Sequence, residues 1–363
     1  MRILHVITML DTGGAERLVV DLLPRLIVNG NQAELLLFNG FRTAFRSELE
    51  ERGVVVHELY VKEFNFKGSG VYNPLNIVRL FDYFKGYDII HTHNTACQLY
   101  VPIARTLLRK KTTLVTTEHS SNNRRRDISW FKPIDKWMYN RYNAVVCISD
   151  KARITLESYI GKRNTILTIN NGVDVERFQR PINDVSGQEA FVITMVAGFR
   201  AEKDHETLLR AMNHLPANYH LQLVGRGTRE EELRLLTREL GLNERVVFMG
   251  MRSDVPQILE QSDIVVLSSH WEGLSLSSVE GMASGRPFIA SDVDGLREVV
   301  GGAGVLFPHG DDEALAREIR NLCENPELYR KTAEACQERA KQYDISVMAK
   351  KYSDLYKSLM DTH

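Results

Sequence analysis

Only four cysteines occur in 363 residues. Cys97, Cys147, Cys323 and Cys336 lie far apart and form no C-x-x-C pair. That excludes a disulfide framework or a cysteine-rich zinc module, and the four read as reduced thiols of a cytoplasmic protein. An excess of charge of one sign is also lacking. The 46 Lys and Arg nearly balance the 47 Asp and Glu, leaving a net charge of −1. General nucleic-acid binding, which needs a basic field, is argued against. No apolar run reaches the roughly 20 residues of a membrane span. The N-terminus, MRILHVITML, is apolar but short. Asp11-Thr12-Gly13-Gly14 follows it, not a small-residue cleavage site, so it reads as a first core strand rather than a signal peptide. Low-complexity segments and short repeats do not occur.

What is present is an ordinary globular composition, 43% apolar and 26% charged. The length suggests two domains. Strand-like apolar runs at 3–7, 34–38, 54–58, 89–91, 114–117, 144–148 and 166–169 alternate with helical patterns such as 16–29 and 74–84. A second series begins near Phe191, with runs at 192–197, 220–224, 246–249, 264–267, 288–290 and 304–307. Such alternation predicts α/β architecture, with parallel sheets and crossover helices. The polar stretch 171–189, with Asn171-Gly172, Pro181 and Ser186-Gly187, separates the series and marks a boundary. Two doubly wound domains would place a ligand in a cleft between them, at the carboxyl ends of strands. Residues 347–360 have helical periodicity and follow a break at Tyr343-Asp344. A helix so late either caps its own domain or crosses back to the first.

The segment 268–298 carries the densest chemistry. Strand 263–267 closes on a tight loop holding Trp271, Glu272, Gly273 and Leu274. A short helix is predicted from about 275 to 284, with Gly285 placed for a left-handed C-terminal turn. Glu272 lies in the loop and Glu280 inside the helix. The helix N-terminus between them offers unpaired N–H groups to an anion. A carboxylate there can accept sugar hydroxyls, although two such glutamates can equally be solvated surface.

Other motifs punctuate the strand ends. Gly13-Gly14-Ala15-Glu16 opens the first helix, and its glycines permit close backbone approach or simply make a turn. G-x-G-x-x-G, the dinucleotide loop, is not present. His91 and His93 of His91-Thr92-His93 point to one side of a strand, so a metal pair is conceivable. No third ligand is evident, and His91 reads as a satisfied core residue. Glu118-His119 ends the next strand. Lys203 and nearby Arg200 suit a diphosphate, or form an exposed basic loop. Gly225-Arg226-Gly227 again allows close approach. Asp292-Val293-Asp294 looks like a D-x-D metal motif but occurs late in the second series, and no metal is expected.

Together these pieces resemble glycosyltransferase family 4, the group 1 glycosyltransferases, retaining enzymes of the GT-B fold. The likeness runs nearly end to end. It rests on Gly13-Gly14-Ala15-Glu16, His91-Thr92-His93, Asn171-Gly172-Val173-Asp174, Lys203-Asp204, Val224-Gly225-Arg226-Gly227, Phe248-Met249-Gly250, Glu272 to Glu280, and Gly295-Leu296-Arg297-Glu298. The resemblance implies two Rossmann-like domains facing a cleft: residues 1–175 for the acceptor and 176–342 for a nucleotide-diphosphate-sugar donor. It implies that 343–363 form a helix packing back on the N-terminal domain. Glu280 should hold the ribose hydroxyls and Glu272 the donor sugar. The N–H groups of Leu274 and Ser275, with Lys203, should hold the diphosphate. Gly14 should admit the donor, His93 should contact its sugar, and the base should lie near Gly250 and Arg252. Gly225 belongs to the same donor set, and Gly13, His119 and Arg124 to the acceptor side.

Two positions depart from the family pattern. Gly198 stands where the family usually has an Arg, five residues before Lys203. Ser275 replaces the second loop glycine. We expect Arg200 to take over the missing cation contact.

The expected activity is metal-independent, retaining transfer of a sugar to a hydroxyl acceptor, with His93, Lys203 and Glu272 as catalytic residues. No cofactor is expected. A lipid-linked or polysaccharide acceptor is suggested by Arg124-Arg125-Arg126, Lys132, Lys136, Arg141 and Trp130-Phe131, a set suited to an anionic membrane surface. The expected location is the cytoplasm, with peripheral contact at the inner membrane face. The alternatives are a sugar-nucleotide epimerase, a phosphorylase-like enzyme, or a nucleotide-sugar binding protein without catalysis.

Overall fold

A computed structural model describes residues 1–363 except 12, 41, 60–69, 120–125, 127, 129, 164 and 362–363. The chain divides into two compact units, Met1–Gly172 with Ile345–His363, and Val173–Asp344.

The first unit holds seven strands: β1 (Arg2–Ile7), β2 (Gln32–Leu37), β3 (Val56–Glu58), β4 (Ile89–His93), β5 (Thr113–Glu118), β6 (Ala144–Cys147) and β7 (Ile166–Thr168). Their order is β3-β2-β1-β4-β5-β6-β7, and the pairs are parallel. The second unit holds β8 (Phe191–Val196), β9 (Tyr219–Val224), β10 (Val246–Gly250), β11 (Ile264–Leu267), β12 (Phe288–Ser291) and β13 (Val305–Phe307). Its order is β10-β9-β8-β11-β12-β13, again parallel. Each sheet winds outward in both directions from its first strand. The reversal falls between β1 and β4 in one and between β8 and β11 in the other. At such a point the loops leaving the strand ends diverge and open a crevice.

Central strands covered on both faces have no polar side to show. β6 (AVVC) and β11 (IVVL) are buried at every position. The strands expected from the apolar runs all form. β4 runs two residues further than its apolar core suggests, because it is paired on both sides. His91 aligns with His5 of β1 and with Val115 of β5, and His93 aligns with Thr117. The single helix expected at 74–84 splits into the short helix Asn76–Arg79 and a 3-10 turn, Leu80–Phe84. The aromatic run LFDYF favours a helix weakly, and Gly86 ends it with a positive φ of 90°.

The helix Ile345–Asp361 belongs to the first unit. Ile345, Met348, Ala349, Tyr352 and Tyr356 recur at helical spacing and share a core with Ile3, Ile7, Ile89 and Val115. That stripe seals one face of the first sheet, directly over the histidines of β1 and β4.

Candidate active site

In the second unit the chemistry gathers where β8 and β11 end. After β8 a 3-10 turn, Ala201–Lys203, brings Lys203 to the strand end. Asp204 follows at φ 28° and caps the helix His205–His214, accepting from the Thr207 hydroxyl at 2.7 Å. After β11 the loop carries Glu272, only 9% exposed. The Lys203 ammonium donates to Glu272 Oε1, and Ser269 Oγ donates to the same oxygen at 2.8 Å. The His270 N–H bonds the Glu202 carbonyl at 2.9 Å, tying the two loops together. Cation and carboxylate are therefore held in register before any ligand arrives.

The helix Leu276–Ala283 starts immediately beyond. Its N-cap residue, Ser275, makes no capping bond, and its hydroxyl turns to Ser277 Oγ at 3.1 Å. The first-turn N–H groups thus keep their affinity for an anion, next to Leu274 and Ser275. Glu280 sits half-buried one residue before Gly281. A Cβ on Gly281 would lie 2.6 Å from the Phe288 ring and 2.9 Å from Val265 Cγ1. Glycine there lets the helix seat directly on β11 and β12, which sets the depth of Glu280. Gly285 has φ 77°, as a left-handed helix end requires. Gly295 backs the Glu272 loop: a Cβ there would lie 2.2 Å from the Gly273 carbonyl.

The remaining donor-side residues line up less evenly. Gly225 and Gly250 both have positive φ, 150° and 68°. A Cβ on Gly225 would lie 2.0 Å from the Ala197 carbonyl, so its glycine serves strand-end packing. Arg252 is exposed and bonds Asp254 at 2.8 Å. β8 ends at Val196, so a shared strand face does not relate Gly198 to Arg200. Instead Arg200 folds back, and its Nε lies 3.5 Å from where a Gly198 Cβ would stand. Its side chain is 70% exposed, with Glu202 Oε1 3.8 Å from its guanidinium. Asp292 and Asp294 both bond Arg297, at 2.6 and 3.2 Å, so the D-x-D pair is an exposed ion-pair cluster.

In the first unit β1 and β4 carry neutral groups, and the charged pair Glu118–Arg126 stands at the end of β5. His5, His91 and His93 are fully buried. His5 Nδ1 and His93 Nε2 are 3.0 Å apart, and His93 Nδ1 and His119 Nε2 are 2.9 Å apart. His91 bonds Tyr356 at 2.6 Å and Thr117 at 2.8 Å. Burial away from water pushes the imidazoles down, to about 3 for His5 and about 4 for His119. His91 and His93 fall well below the usual range for the same reason, reinforced by neighbouring rings. His91 is the satisfied core residue expected of it. His93, expected to meet donor sugar, has no exposed surface and uses both ring nitrogens on other histidines.

His119 instead lines a cavity of about 340 Å³ with Thr8, Asn94, Gln98, Thr117 and Glu118. Glu118 accepts from Tyr139 at 2.5 Å and faces Arg126 at 3.4 Å. Arg126 is thereby turned inward, 8% exposed, and is not part of a basic surface. Arg124 and Arg125 lie outside the described residues. Gly13 and Gly14 open the helix Gly14–Val28 with no side-chain cap, and a Cβ on Gly14 would meet nothing within 4 Å.

Sequence reasoning missed His5, the third imidazole of the cluster, which lies 88 residues from His93. One nitrogen from each of His5, His91 and His93 falls within 4.8 Å of the others. It also missed Ser269, Thr117, Tyr352 and Tyr356. The signal available was a histidine inside an otherwise apolar first strand.

Two family models match the chain. "Glycosyltransferase Family 4" covers residues 12–177 and "Glycosyl transferases group 1" covers residues 176–342. The lipopolysaccharide core biosynthesis mannosyltransferase LpsB of Rhizobium meliloti is 26% identical over 256 residues, 65% of this chain and 70% of that one. The UDP-Gal:alpha-D-GlcNAc-diphosphoundecaprenol alpha-1,3-galactosyltransferase of Escherichia coli is 28% identical over 229 residues, 58% and 59% of the two chains. Among solved structures, Anabaena Alr3699/HepE in complex with UDP superposes with a TM-score of 0.81 at 24% identity, covering 99% of this chain and 100% of that one.

Proposed function

The chain belongs to glycosyltransferase family 4 and is a glycosyltransferase of the GT-B fold, and from that premise we propose that it transfers a sugar, with retention, from a nucleotide-diphosphate-sugar to a hydroxyl of a lipid-linked or polysaccharide precursor. The observation that carries this reading is the Lys203–Glu272 pair beside the uncapped helix Leu276–Ala283. Lys203, Arg200 and the helix N–H groups offer positive charge to a diphosphate. Glu272 and Glu280 offer acceptors to hydroxyls on either side of it. As the sugar–phosphate bond breaks, charge grows on the leaving diphosphate, and these fixed donors stabilise it without reorganising. On this reading the same groups take the part a metal would otherwise play, and Asp292 and Asp294 are engaged by Arg297.

The acceptor reading draws on the first unit and on the relatives. The E. coli relative is named for a diphosphoundecaprenol substrate. Here the helix Phe131–Tyr139 is preceded by exposed Ile128 and Trp130, carries exposed Ile134, and has Trp130 stacked on Phe131 with centroids 4.0 Å apart. Lys132 and Lys136 flank them, exposed. Aromatic and basic residues so mixed fit the headgroup region of an anionic bilayer. Among the described residues no helix is long and apolar enough to cross a membrane.

Thermal stabilisation by a panel of UDP-, GDP- and ADP-sugars, UDP-sugars first, identifies the donor, since a ligand of the folded state raises the melting point. The anomeric proton of the product, read by NMR, then decides retention. An inverted product, or turnover abolished by EDTA and restored by a divalent ion, would overturn the mechanism.

A further inference from the structure

Among the described residues, two groups of three side chains bring possible metal ligands within 4.8 Å of one another. One is the fully buried set His5, His91 and His93, whose rings are engaged inside the first unit's core. The other lies nearer the surface of the second unit and consists of Asp204, His270 and His309. Each of these comes from a different loop at the carboxyl end of the second sheet. Asp204 follows the turn after β8, His270 follows β11, and His309 follows β13.

The three are held with different firmness. Asp204 is buried, and its Oδ2 accepts from the Thr207 hydroxyl at 2.7 Å, so the carboxylate is fixed in place. His270 is half-buried, and its backbone N–H is clipped to the Glu202 carbonyl at 2.9 Å. His309 is exposed. His270 Nδ1 and His309 Nε2 stand 2.7 Å apart. Such a contact needs one proton between the two nitrogens. A metal ion can take the place of that proton, since both nitrogens then offer it a lone pair. Ligand atoms on one tetrahedral zinc stand about 3.3 Å apart, given Zn–N bonds of about 2.0–2.1 Å. The two rings must therefore open by about 0.6 Å, a shift open to the exposed His309. Asp204 supplies the third ligand and the negative charge. His270 Nε2 lies 3.8 Å from Asp204 Oδ1, beyond a hydrogen bond, so the carboxylate is not spent on that ring. Two imidazoles and a carboxylate, with water in the fourth place, select a zinc-class ion over magnesium or calcium, which take oxygen ligands.

We propose that Asp204, His270 and His309 form a binding site for one divalent ion of the zinc class, distinct from the reacting groups. The ion ties the loop after β11 to the turn after β8. Asp204 directly follows Lys203, and His270 precedes Glu272 by two residues, so occupancy fixes the spacing of the Lys203–Glu272 pair. The site uses neither Lys203 nor Glu272. It controls the geometry of that pair and takes no part in bond breaking, and it stands whether or not the chain transfers sugar.

The test is calorimetric titration of zinc chloride into the untagged full chain, stripped with a chelator that is then removed. One ion per chain should bind, and magnesium should not compete. His309→Ala, at an exposed position, and His270→Ala should each weaken binding about tenfold or more, since losing even an outer-shell partner of a metal costs about that much. Cobalt(II) should give the visible absorption of a tetrahedral nitrogen–oxygen site in the parent and lose it in His309→Ala. Amide hydrogen exchange at His270 should slow when zinc is added to the parent and stay unchanged in His309→Ala. Parental zinc affinity in His309→Ala would place the ion elsewhere, the His5–His91–His93 cluster included, and overturn the site. Lack of zinc binding, or equal displacement by magnesium, would overturn it too. Zinc binding that leaves exchange at His270 unaltered would overturn the tie between the two loops.

Discussion

The two sheets share one winding order, yet their strand ends carry opposite chemistry. Where β1 and β4 end, the groups are neutral imidazoles and hydroxyls, packed under a helix. Where β8 and β11 end, they are an ammonium, a carboxylate and an uncapped helix N-terminus. The difference shows how little the winding order decides. It supplies a crevice at the strand ends, and the residues placed there supply the function. A charged end suits a diphosphate whose charge changes during reaction. A largely neutral, desolvated end suits hydroxyl recognition, and the one buried carboxylate beside it, Glu118, is paired with Arg126, as a buried charge must be.

The contrast breaks most visibly at Glu272. Replacing it with Ala removes the acceptor for donor-sugar hydroxyls and leaves Lys203 unpaired. Turnover should fall by about 100-fold or more, as for loss of one preorganised electrostatic contact. Steady-state kinetics at saturating donor checks this, and near-parental turnover would mean that the charged end is not the reacting end.

Glu280→Ala should weaken donor binding by about 1.5–3 kcal/mol, because ribose hydroxyls lose a charged acceptor. Calorimetry with the donor measures it. Unchanged affinity would remove Glu280 from the site while leaving Glu272 in place.

Arg200 sharpens the comparison, since it decides how many cations the second unit supplies. Arg200→Ala should lower kcat/KM about tenfold, and adding Gly198→Arg should recover part of the loss. There is room for that side chain, as a Cβ on Gly198 meets nothing closer than 3.5 Å. If Arg200→Ala is kinetically silent, Lys203 and the helix N-terminus suffice.

Acid should separate the units more gently. An unfolded histidine titrates near 6.5, whereas the first unit holds His5 to about 3 and His119 to about 4, with His91 and His93 also depressed. Below pH ~6.5 the unfolded chain binds protons that the folded one refuses, so stability is full above that value and drains away as pH falls toward 4. Each such ring contributes a slope of about 1.4 kcal/mol per pH unit. The second unit has one comparable ring, His205, held to about 3 mainly by burial. Amide hydrogen exchange at pH 5 against pH 7.5 should therefore show the first unit losing more protection. Equal losses would contradict the assignment of neutral, buried histidines.

The second unit was the more legible in the sequence, for a physical reason. β11, the Glu272 loop, the helix with Glu280 and the Gly285 turn are consecutive, and each is set by local patterning. The first unit's site is assembled by long-range pairing. His91 and Tyr356 are 265 residues apart, and only the register of β1 on β4 brings His5 beside His93. Helical periodicity marked the last helix but not the unit it joins, and nothing local shows that Arg126 turns inward to Glu118.

The central claim is that the second unit's cation and helix N-terminus hold the donor diphosphate. Titrating UDP into the parent protein and into Lys203→Met, by calorimetry in the presence of EDTA, tests it most directly. The account predicts parental binding without metal and a Kd weakened roughly 10- to 150-fold in the variant, the equivalent of about 1.5–3 kcal/mol. An unchanged Kd in Lys203→Met, with the fold intact by circular dichroism, would contradict it.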